Sequence, residues 1–271
     1  MTGDSFLQLE GISKTYPGVK ALDNVSMDIR AGEVHALVGE NGAGKSTLIK
    51  ILAGAEIPDS GSRIIIDGQP VEFAHPLEAL RARIAVTYQD LSLFPNLSVL
   101  ENITISREIE EGGNIVDWKE MRVTAQAALD RLGLDINLDT RLADLSVANQ
   151  QLVAIARGLV HDARLLILDE PTSSLSRGEI EALFEVIATL KGEGVSILFI
   201  SHKLDEIFAI SDRITVLRDG QHVGTYLKDE LTEEQLISLM VGRKLRFVEY
   251  ERNPIGSPIL EVKGLSKQGN F

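Results

Sequence analysis

A glycine-rich loop at residues 39–47 constrains the fold of this chain more than any other segment. It lies between an apolar run at residues 34–38 and a helical-looking run at residues 48–54, and its sequence is Gly39-Glu40-Asn41-Gly42-Ala43-Gly44-Lys45-Ser46-Thr47. Glycines let backbone N–H groups surround a triphosphate, and the following helix directs the positive end of its dipole at the phosphates. We expect Lys45 to reach the β and γ phosphates and the Ser46 hydroxyl to ligate Mg²⁺. The alternative is an ordinary glycine-rich turn before a helix.

The composition indicates the class of protein and the cellular compartment in which it is expected. The chain has 271 residues, enough for about two domains, and its 44% hydrophobic and 25% charged residues are typical of soluble globular proteins. No apolar run approaches the roughly 20 residues that span a bilayer, and the N-terminus lacks the pattern of a secretory signal. The absence of cysteine excludes disulfides and thiolate metal sites. We therefore expect a cytosolic chain whose membrane role, if any, comes through a partner.

Net charge argues against one class of partner. The chain carries a formal net charge of -13, whereas nucleic-acid binding draws much of its affinity from clustered Lys and Arg. We therefore expect no nucleic-acid partner.

Apolar periodicity predicts an α/β protein with antiparallel strands at both ends. The Asp67-Gly68 and Asp219-Gly220 pairs each separate two strand-like runs and predict hairpins, because both turn positions favour positive φ. The strand-like runs are residues 6–12, 25–29, 34–38, 63–66, 71–73, 214–217 and 222–225.

The middle of the chain has helical and buried-strand patterns. Residues 118–132 and 147–159 have the spacing of amphipathic helices and predict a helical subdomain at about residues 90–162. Residues 165–168 and 195–200 are continuous apolar runs, as in parallel strands buried on both faces, with a crossover helix at residues 179–190 between them. The predicted α/β core carries the loop at the carboxyl edge of its sheet.

The end of the chain repeats its beginning. Residues 259–267 match residues 6–14 with four identities and three further apolar positions, and the intervening stretch is polar and rich in Pro and Gly. We infer a nucleotide domain at residues 1–242, a linker at residues 243–258 and the start of a second domain of the same kind at residues 259–271. Accidental similarity of two amphipathic strands is the alternative.

Two carboxylates follow the apolar run at residues 165–168. Asp169 and Glu170 are expected at the same sheet edge as the loop, where Asp169 would hold the Mg²⁺ hydration shell. Glu170 could polarise the attacking water or take its proton. A solvated acidic turn is the alternative for such a pair.

These motifs together resemble the ATP-binding-cassette (ABC) ATPases over residues 6–242. The resemblance also involves Tyr16, Gln89 and His202, and residues 145–151 at the signature position. It implies a P-loop NTPase fold with an antiparallel β-subdomain and an inserted helical subdomain. It also implies ATP and Mg²⁺ as ligands.

The resemblance gives each of these residues a role. Tyr16 would stack on adenine, although packing in its turn is the alternative. Gln89 would ligate Mg²⁺ and sense the γ phosphate, and His202 would donate to that phosphate; a surface Gln and a packed His are the alternatives. The other histidines, His35, His75, His161 and His222, show no metal spacing.

In the family each ATP lies between one cassette's loop and the other cassette's signature. Ser146 and Lys45 would therefore serve different ATP molecules. The signature departs from Leu-Ser-Gly-Gly-Gln, with Val147, Ala148 and Asn149 at its last three positions. Ser146 can still cap a helix that faces a phosphate, but bulkier residues hinder close approach. The loop after Pro171 also departs, since it ends in Ser176 where Asp is frequent.

Residues 89–99 and 145–151 resemble the ATPases of bacterial ribose, galactose and xylose importers, which carry two cassettes per chain. This implies a peripheral ATPase at the cytoplasmic face of the membrane. Its partners would be an integral membrane permease, a second cassette in the full-length chain and, indirectly, a periplasmic sugar-binding protein. Two other classes stay open: a tandem-cassette ATPase acting on ribosomes or DNA, and a regulatory nucleotide-binding module without turnover.

Overall fold

The described part of the polypeptide folds into two β-sheets and eight α-helices. The computed structural model describes residues 5–111, 116–242, 260–264 and 266. The strands are β1 (Ser5–Tyr16), β2 (Val19–Arg30), β3 (Val34–Val38), β4 (Arg63–Ile66), β5 (Gln69–Val71), β6 (Ile84–Thr87), β7 (Leu165–Asp169), β8 (Ser196–Ile200), β9 (Arg213–Arg218) and β10 (Gln221–Leu227). The helices are α1 (Lys45–Leu52), α2 (Pro76–Arg81), α3 (Val99–Glu111), α4 (Trp118–Arg131), α5 (Val147–Leu159), α6 (Arg177–Gly192), α7 (Leu204–Ile210) and α8 (Glu233–Val241).

The larger sheet has six strands in the order β10-β9-β3-β8-β7-β6. Strands β9, β3, β8, β7 and β6 run parallel, and β10 is antiparallel to β9. Every residue of β3 and β8 is buried, as expected of parallel strands covered on both faces. The prediction of a parallel α/β core is confirmed.

Strand β7 separates two hydrophobic cores. Leu166 and Leu168 pack into a core with α3, α4, α5 and α6, whereas Leu165 and Ile167 pack into a core with α1, β1 and β2. Successive side chains of a strand point to opposite faces, which explains the alternation. The larger sheet is therefore the middle layer between a helical layer and a layer formed by α1 and the antiparallel sheet.

The antiparallel sheet has the order β2-β1-β4-β5. Asp67 (φ 48°) and Gly68 (φ 75°) form the turn between β4 and β5. Asp219 (φ 51°) and Gly220 (φ 76°) form the turn between β9 and β10. Both predicted hairpins are confirmed, with positive φ at each central residue.

Most predicted elements differ from the observed ones at their ends; β1, for example, extends to Tyr16, beyond the run predicted at residues 6–12. Two of these differences have a clear local reason. The helix expected at residues 48–54 begins earlier, at Lys45, because Gly44 (φ 102°) is its N-cap and the loop leads directly into it. The strand expected at residues 71–73 lies instead at Gln69–Val71, because the two-residue turn pairs Gln69 with Ile66 at once.

Four helices, α2, α3, α7 and α8, have no counterpart in the sequence prediction. Helices α2 and α7 have only 6 and 7 residues, too few to establish an apolar period. Helix α3 has Val, Ile and Thr in its first half, residues that favour strands. With α4 and α5, it falls within the predicted helical subdomain at residues 90–162.

The predictions for the C-terminal region fall partly outside the described residues. The linker predicted at residues 243–258 lies outside the described residues. From the predicted second domain, the structure describes residues 260–264 and 266, which form no helix or strand. Leu260 and Val262 are 81% and 59% exposed. Among the described residues, no helix is long and apolar enough to cross a bilayer.

Candidate nucleotide site

The parallel strands bring four segments to one sheet edge. The glycine-rich loop follows β3, His202 follows β8, Glu170 follows β7, and Gln89 follows β6. Because these strands are neighbours in the order β3-β8-β7-β6 and run parallel, the segments after them lie side by side at the carboxyl edge. This edge of a parallel sheet is where ligands bind in open α/β folds.

Lys45 is the first residue of α1, and its amine folds back over the loop. Its Nζ donates to the carbonyl oxygens of Gly39 at 2.7 Å and Glu40 at 3.2 Å. The N-cap is Gly44, which has no side chain to cap the helix, so the first-turn N–H groups of α1 are available to an external acceptor. Ser46 lies exposed in this turn, and Thr47 is half-buried.

The loop is packed tightly on one side and open on the other. A Cβ on Gly39 would lie 2.3 Å from the Leu217 carbonyl oxygen, and one on Gly44 would lie 2.7 Å from the Ala21 carbonyl oxygen. A Cβ on Gly42 would meet nothing within 4 Å, although its φ is +84°. Strands β2 and β9 therefore hold the base of the loop. Ala43 is buried, while Glu40, Asn41 and Gly42 are exposed.

Three charges share a partly desolvated position at this edge. Burial raises the pKa of Asp169, the charge of Glu170 raises it further, and Lys45 opposes both. Burial lowers the pKa of Lys45, against the charges of Glu170 and Asp169. The amine and the two carboxylates therefore lie close enough to influence one another. This arrangement suits a polyanion accompanied by a cation.

The oxygen donors at the edge fit a magnesium ion. Asp169 supplies a carboxylate, Ser46 a hydroxyl and Gln89 an amide, and Mg²⁺ in phosphate sites commonly uses one or two carboxylates together with phosphate oxygens and water. Among the described residues, no group of three or more His, Cys, Asp and Glu could hold a metal. A site shared with phosphates does not require such a group.

Glu170 and His202 form a pair across neighbouring strands. Glu170 has φ 48°, and its N–H donates to the Ile200 carbonyl at 2.9 Å. A non-glycine residue at positive φ persists only where its surroundings hold it. His202 Nδ1 lies 3.3 Å from Glu170 Oε1, with the two side chains 63% and 25% exposed. The pair can therefore reach a ligand in front of the sheet.

Gln89 is exposed and begins the segment after β6. Burial raises the pKa of the adjacent Tyr88 hydroxyl, and the charge of Asp169 raises it further. This segment therefore lies close enough to Asp169 to be influenced by its charge. Further along, Arg157 of α5 donates to the carbonyl oxygens of Ser92 at 2.9 Å and Leu91 at 3.0 Å. Burial lowers the pKa of Arg157. Helix α5 therefore holds the segment after Gln89.

Tyr16 and Ser146 belong to other parts of the fold. Tyr16 ends β1 in the antiparallel sheet, with Lys14 Nζ 5.3 Å from its ring centroid. Ser146 is the exposed N-cap of α5, and its Oγ accepts from the Asn149 N–H at 3.2 Å. The helix N-terminus at Ser146 is therefore formed despite the altered signature. The roles of both residues stay predictions.

Sequence reasoning missed two side chains that hold the site's loops, Arg157 and Glu206. Arg157 lies on a mostly buried helix, and a cation there is a signal that it has specific acceptors. Glu206 follows His202 by four residues, in a short helix that also contains Asp205. Its partners come from two separate loops, and no local pattern predicts them.

The chain is similar to sugar-import ATP-binding proteins. It is 49% identical over 267 residues to a protein of Agrobacterium fabrum provisionally named for ribose, galactose and methyl galactoside import, covering 98% of this chain and 52% of that protein. It is 50% identical over 242 residues to the ribose import ATP-binding protein RbsA 2 of Burkholderia pseudomallei, covering 88% of this chain and 47% of that protein. The chain thus spans about half the length of these curated relatives.

A solved structure has the same fold. The crystal structure of an ATP-binding cassette of an ABC transporter in its ADP conformation superposes with a TM-score of 0.76 at 26% identity, covering 88% of this chain and 95% of that one. Residues 22–173, which include the glycine-rich loop, the signature and the Asp169-Glu170 pair, match the family model described as ABC transporter. This chain therefore belongs to the ABC transporter family and has the fold of an ATP-binding cassette.

Proposed function

We propose that this chain binds Mg-ATP and hydrolyses it to power the import of a sugar. The observation that carries the proposal is the convergence of Lys45, the Asp169-Glu170 pair and His202 on one sheet edge. Such a constellation provides both phosphate binding and a group to activate water, as phosphoryl transfer requires.

The residues divide into binding and chemistry. Loop N–H groups and Lys45 hold the β and γ phosphates, Tyr16 stacks on the adenine, and Asp169, Ser46 and Gln89 hold the metal. When bound, Mg²⁺ neutralises phosphate charge and fixes the phosphate geometry. The raised pKa of Asp169 supports this assignment, since a partly desolvated carboxylate gains most from a cation.

Glu170 acts as the base. Water oxygen forms a bond to the γ phosphorus as the bond from that phosphorus to the bridging oxygen breaks, and the electron pair leaves with ADP. Glu170 accepts the water proton, and His202 donates to a γ-phosphate oxygen. The 3.3 Å contact between His202 Nδ1 and Glu170 Oε1 supports this division, because it brings base and donor to the same phosphate.

The substrate class follows from the relatives. Both are named for the import of ribose or related sugars, and the chain spans about half of each. We therefore propose that this chain is the N-terminal cassette of a two-cassette sugar-import ATPase. Ser146 would then contact the ATP held by the second cassette, whose own signature would complete the site at Lys45.

A permease is the proposed membrane partner. A largely apolar cavity of about 320 Å³ lies between β6, α3 and α5, beside the segment after Gln89. Phe94 and Ile109 line it and are 49% and 63% exposed. A cytoplasmic segment of the permease fits this cavity, with the cassette peripheral at that face of the membrane. A periplasmic sugar-binding protein would deliver the sugar to the permease.

Hydrolysis is tested with Glu170→Gln, which keeps the side-chain shape and removes the base. Phosphate release at saturating Mg-ATP should fall by about 10² or more, while ATP binding is retained. Glu181→Gln, which neutralises an exposed carboxylate on α6, is the matched control. Equal rates for the two variants would show that water is activated elsewhere.

Transport is tested by ribose uptake in cells that depend on the full-length protein. Ile109→Asp should abolish uptake by placing a charge in the apolar cavity. Val123→Asp, at a 65% exposed position on α4 outside the cavity, should leave uptake unchanged. Normal uptake with Ile109→Asp would exclude the cavity as the docking site.

A further inference from the structure

Glu206 is a buried carboxylate that contacts two of the loops at the carboxyl edge of the larger sheet. It belongs to the first turn of α7, four residues after His202, and is only 4% exposed. Its Oε2 accepts from the Thr172 hydroxyl at 2.6 Å and from the Ser201 hydroxyl at 2.8 Å. Lys203 Nζ forms an ion pair with Oε1 at 2.9 Å. Oε2 therefore accepts two hydrogen bonds, whereas Oε1 has the ion pair with Lys203 but no hydrogen bond among the described residues.

These partners come from the two loops that carry the chemical groups. Thr172 lies two residues after Glu170, and Ser201 and Lys203 flank His202. The loops are also joined directly, because Lys203 Nζ donates to the Thr172 carbonyl at 3.1 Å. The Lys203 N–H donates to Ser201 Oγ at 3.1 Å and closes the network.

Stability alone does not explain such a network. Burying the Glu206 carboxylate removes it from water, and pairing a buried charge often gives no net stability compared with apolar residues. A buried carboxylate that accepts hydrogen bonds from two segments instead restricts those segments to one arrangement. Here the restricted members are the neighbours of Glu170 and His202.

We propose that Glu206 is a positioning residue for hydrolysis: its carboxylate fixes the loop that carries Glu170 against the loop that carries His202. Glu170 itself has a backbone of positive φ and one cross-strand bond to Ile200. Without the carboxylate, Thr172 and Ser201 lose their common acceptor and the two loops can separate. The kinetic part of this inference rests on the proposed ATP hydrolysis; the structural part does not.

Glu206→Gln in the full-length two-cassette protein tests the kinetic part. The amide has only one oxygen, so either the two hydroxyls or Lys203 lose their acceptor. We expect kcat for ATP hydrolysis to fall about tenfold or more, since misplacing a catalytic group by about 1 Å can cost 10²-fold. The KM for ATP should change less than about threefold, because Glu206 contacts neither Lys45 nor the loop at residues 39–44.

Glu33→Gln is the matched control. Glu33 is also buried, at 6% exposure, and its carboxylate accepts from Arg213 at 3.2 Å and contacts His35 at 2.9 Å. It precedes β3 and thus lies at the amino edge of the same sheet, away from the nucleotide. Both variants should lower Tm, whereas only Glu206→Gln should lower kcat. Equal kcat for the two variants would overturn the inference.

Thr172 supplies a second pair of variants if Glu206→Gln folds poorly. Thr172→Val preserves the side-chain shape and removes the hydroxyl donor, so kcat should fall with little change in KM. Thr172→Ser keeps the donor and should restore most of the rate. A Thr172→Val enzyme with wild-type kcat would contradict the proposed role.

Amide hydrogen exchange tests the structural part without hydrolysis. Glu206→Gln should accelerate exchange at the N–H groups of Glu170 and Lys203, which bond to Ile200 and Ser201, while Glu33→Gln should not. If the wild-type full-length two-cassette protein hydrolyses no ATP, the proposed function fails, and hydrogen exchange alone decides whether Glu206 holds the two loops together. Unchanged exchange at both amides would reject it, and faster exchange would uphold it.

Discussion

Truncation of Lys45 separates nucleotide binding from folding. An ammonium group has three N–H donors, and in this structure the Gly39 and Glu40 carbonyls accept from Nζ at 2.7 and 3.2 Å. One donor is therefore left for a phosphate oxygen while the loop stays as it is. A hydrogen bond to a charged group contributes about 1.5 to 3 kcal/mol. We expect Lys45→Ala to bind Mg-ATP about 10- to 150-fold more weakly.

Stability should change little in the same variant. Burial lowers the pKa of Lys45, so the folded state disfavours the ammonium at neutral pH relative to the unfolded state. Removing the side chain relieves that cost and also removes the two bonds to loop carbonyls, and the two effects oppose each other. Tm without nucleotide should therefore stay within about 2–4 °C of the wild-type value, the shift that about 1 kcal/mol produces in a chain of this size.

Calorimetric titration with Mg-ATP measures the affinity. A Glu170→Gln background prevents turnover during the titration, and Lys50→Ala provides the control. Lys50 lies on the same helix, is exposed and is not part of the loop. Equal dissociation constants for Lys45→Ala and Lys50→Ala would remove Lys45 from phosphate binding.

Three further outcomes follow from the geometry and charge of the edge. Asp169→Asn should raise the Tm of the nucleotide-free chain at neutral pH while weakening Mg-dependent hydrolysis. Because the folded-state pKa of Asp169 lies above its unfolded value, ionised Asp169 destabilises the fold at neutral pH, and this penalty disappears as pH falls through the folded pKa; the Tm gain, measured by scanning calorimetry, should shrink toward about pH 4. A gain independent of pH would contradict this reasoning. Gly44→Ala should lower Tm more than Gly42→Ala, because both residues have positive φ but only a Cβ at Gly44 meets the backbone of Ala21, at 2.7 Å; equal losses in thermal unfolding would show that the loop adapts. If the site needs a signature from a second cassette, the specific ATPase activity of this chain should be low and should rise with protein concentration. A high specific activity that does not change across a dilution series would show that one cassette suffices.

The core and the loop are predictable because their signals are local. Continuous apolar runs indicate β7 and β8, the glycine pattern indicates the turn into α1, and Asp-Gly pairs indicate the hairpins. The carboxyl-edge position of Asp169 and Glu170 follows from the end of one such run.

The remaining features depend on contacts between distant segments. The acceptors of Arg157 lie 65 and 66 residues away, and Thr172 lies 34 residues from Glu206. A short helix such as α7 is stabilised by packing of Ile207 in the core rather than by its own periodicity. Periodicity and motif spacing contain no information about such partners.

The shared position of β7 also determines how the molecule opens. Leu165 and Ile167 belong to one core and Leu166 and Leu168 to the other, and all four are fully buried. Because its side chains pack into both cores, β7 can unfold locally only if the packing of both hydrophobic cores is lost. Amides in such segments exchange only through the largest openings, near global unfolding. Asp169 is the last residue of β7. We therefore expect this proposed metal ligand to stay in place while peripheral helices fluctuate.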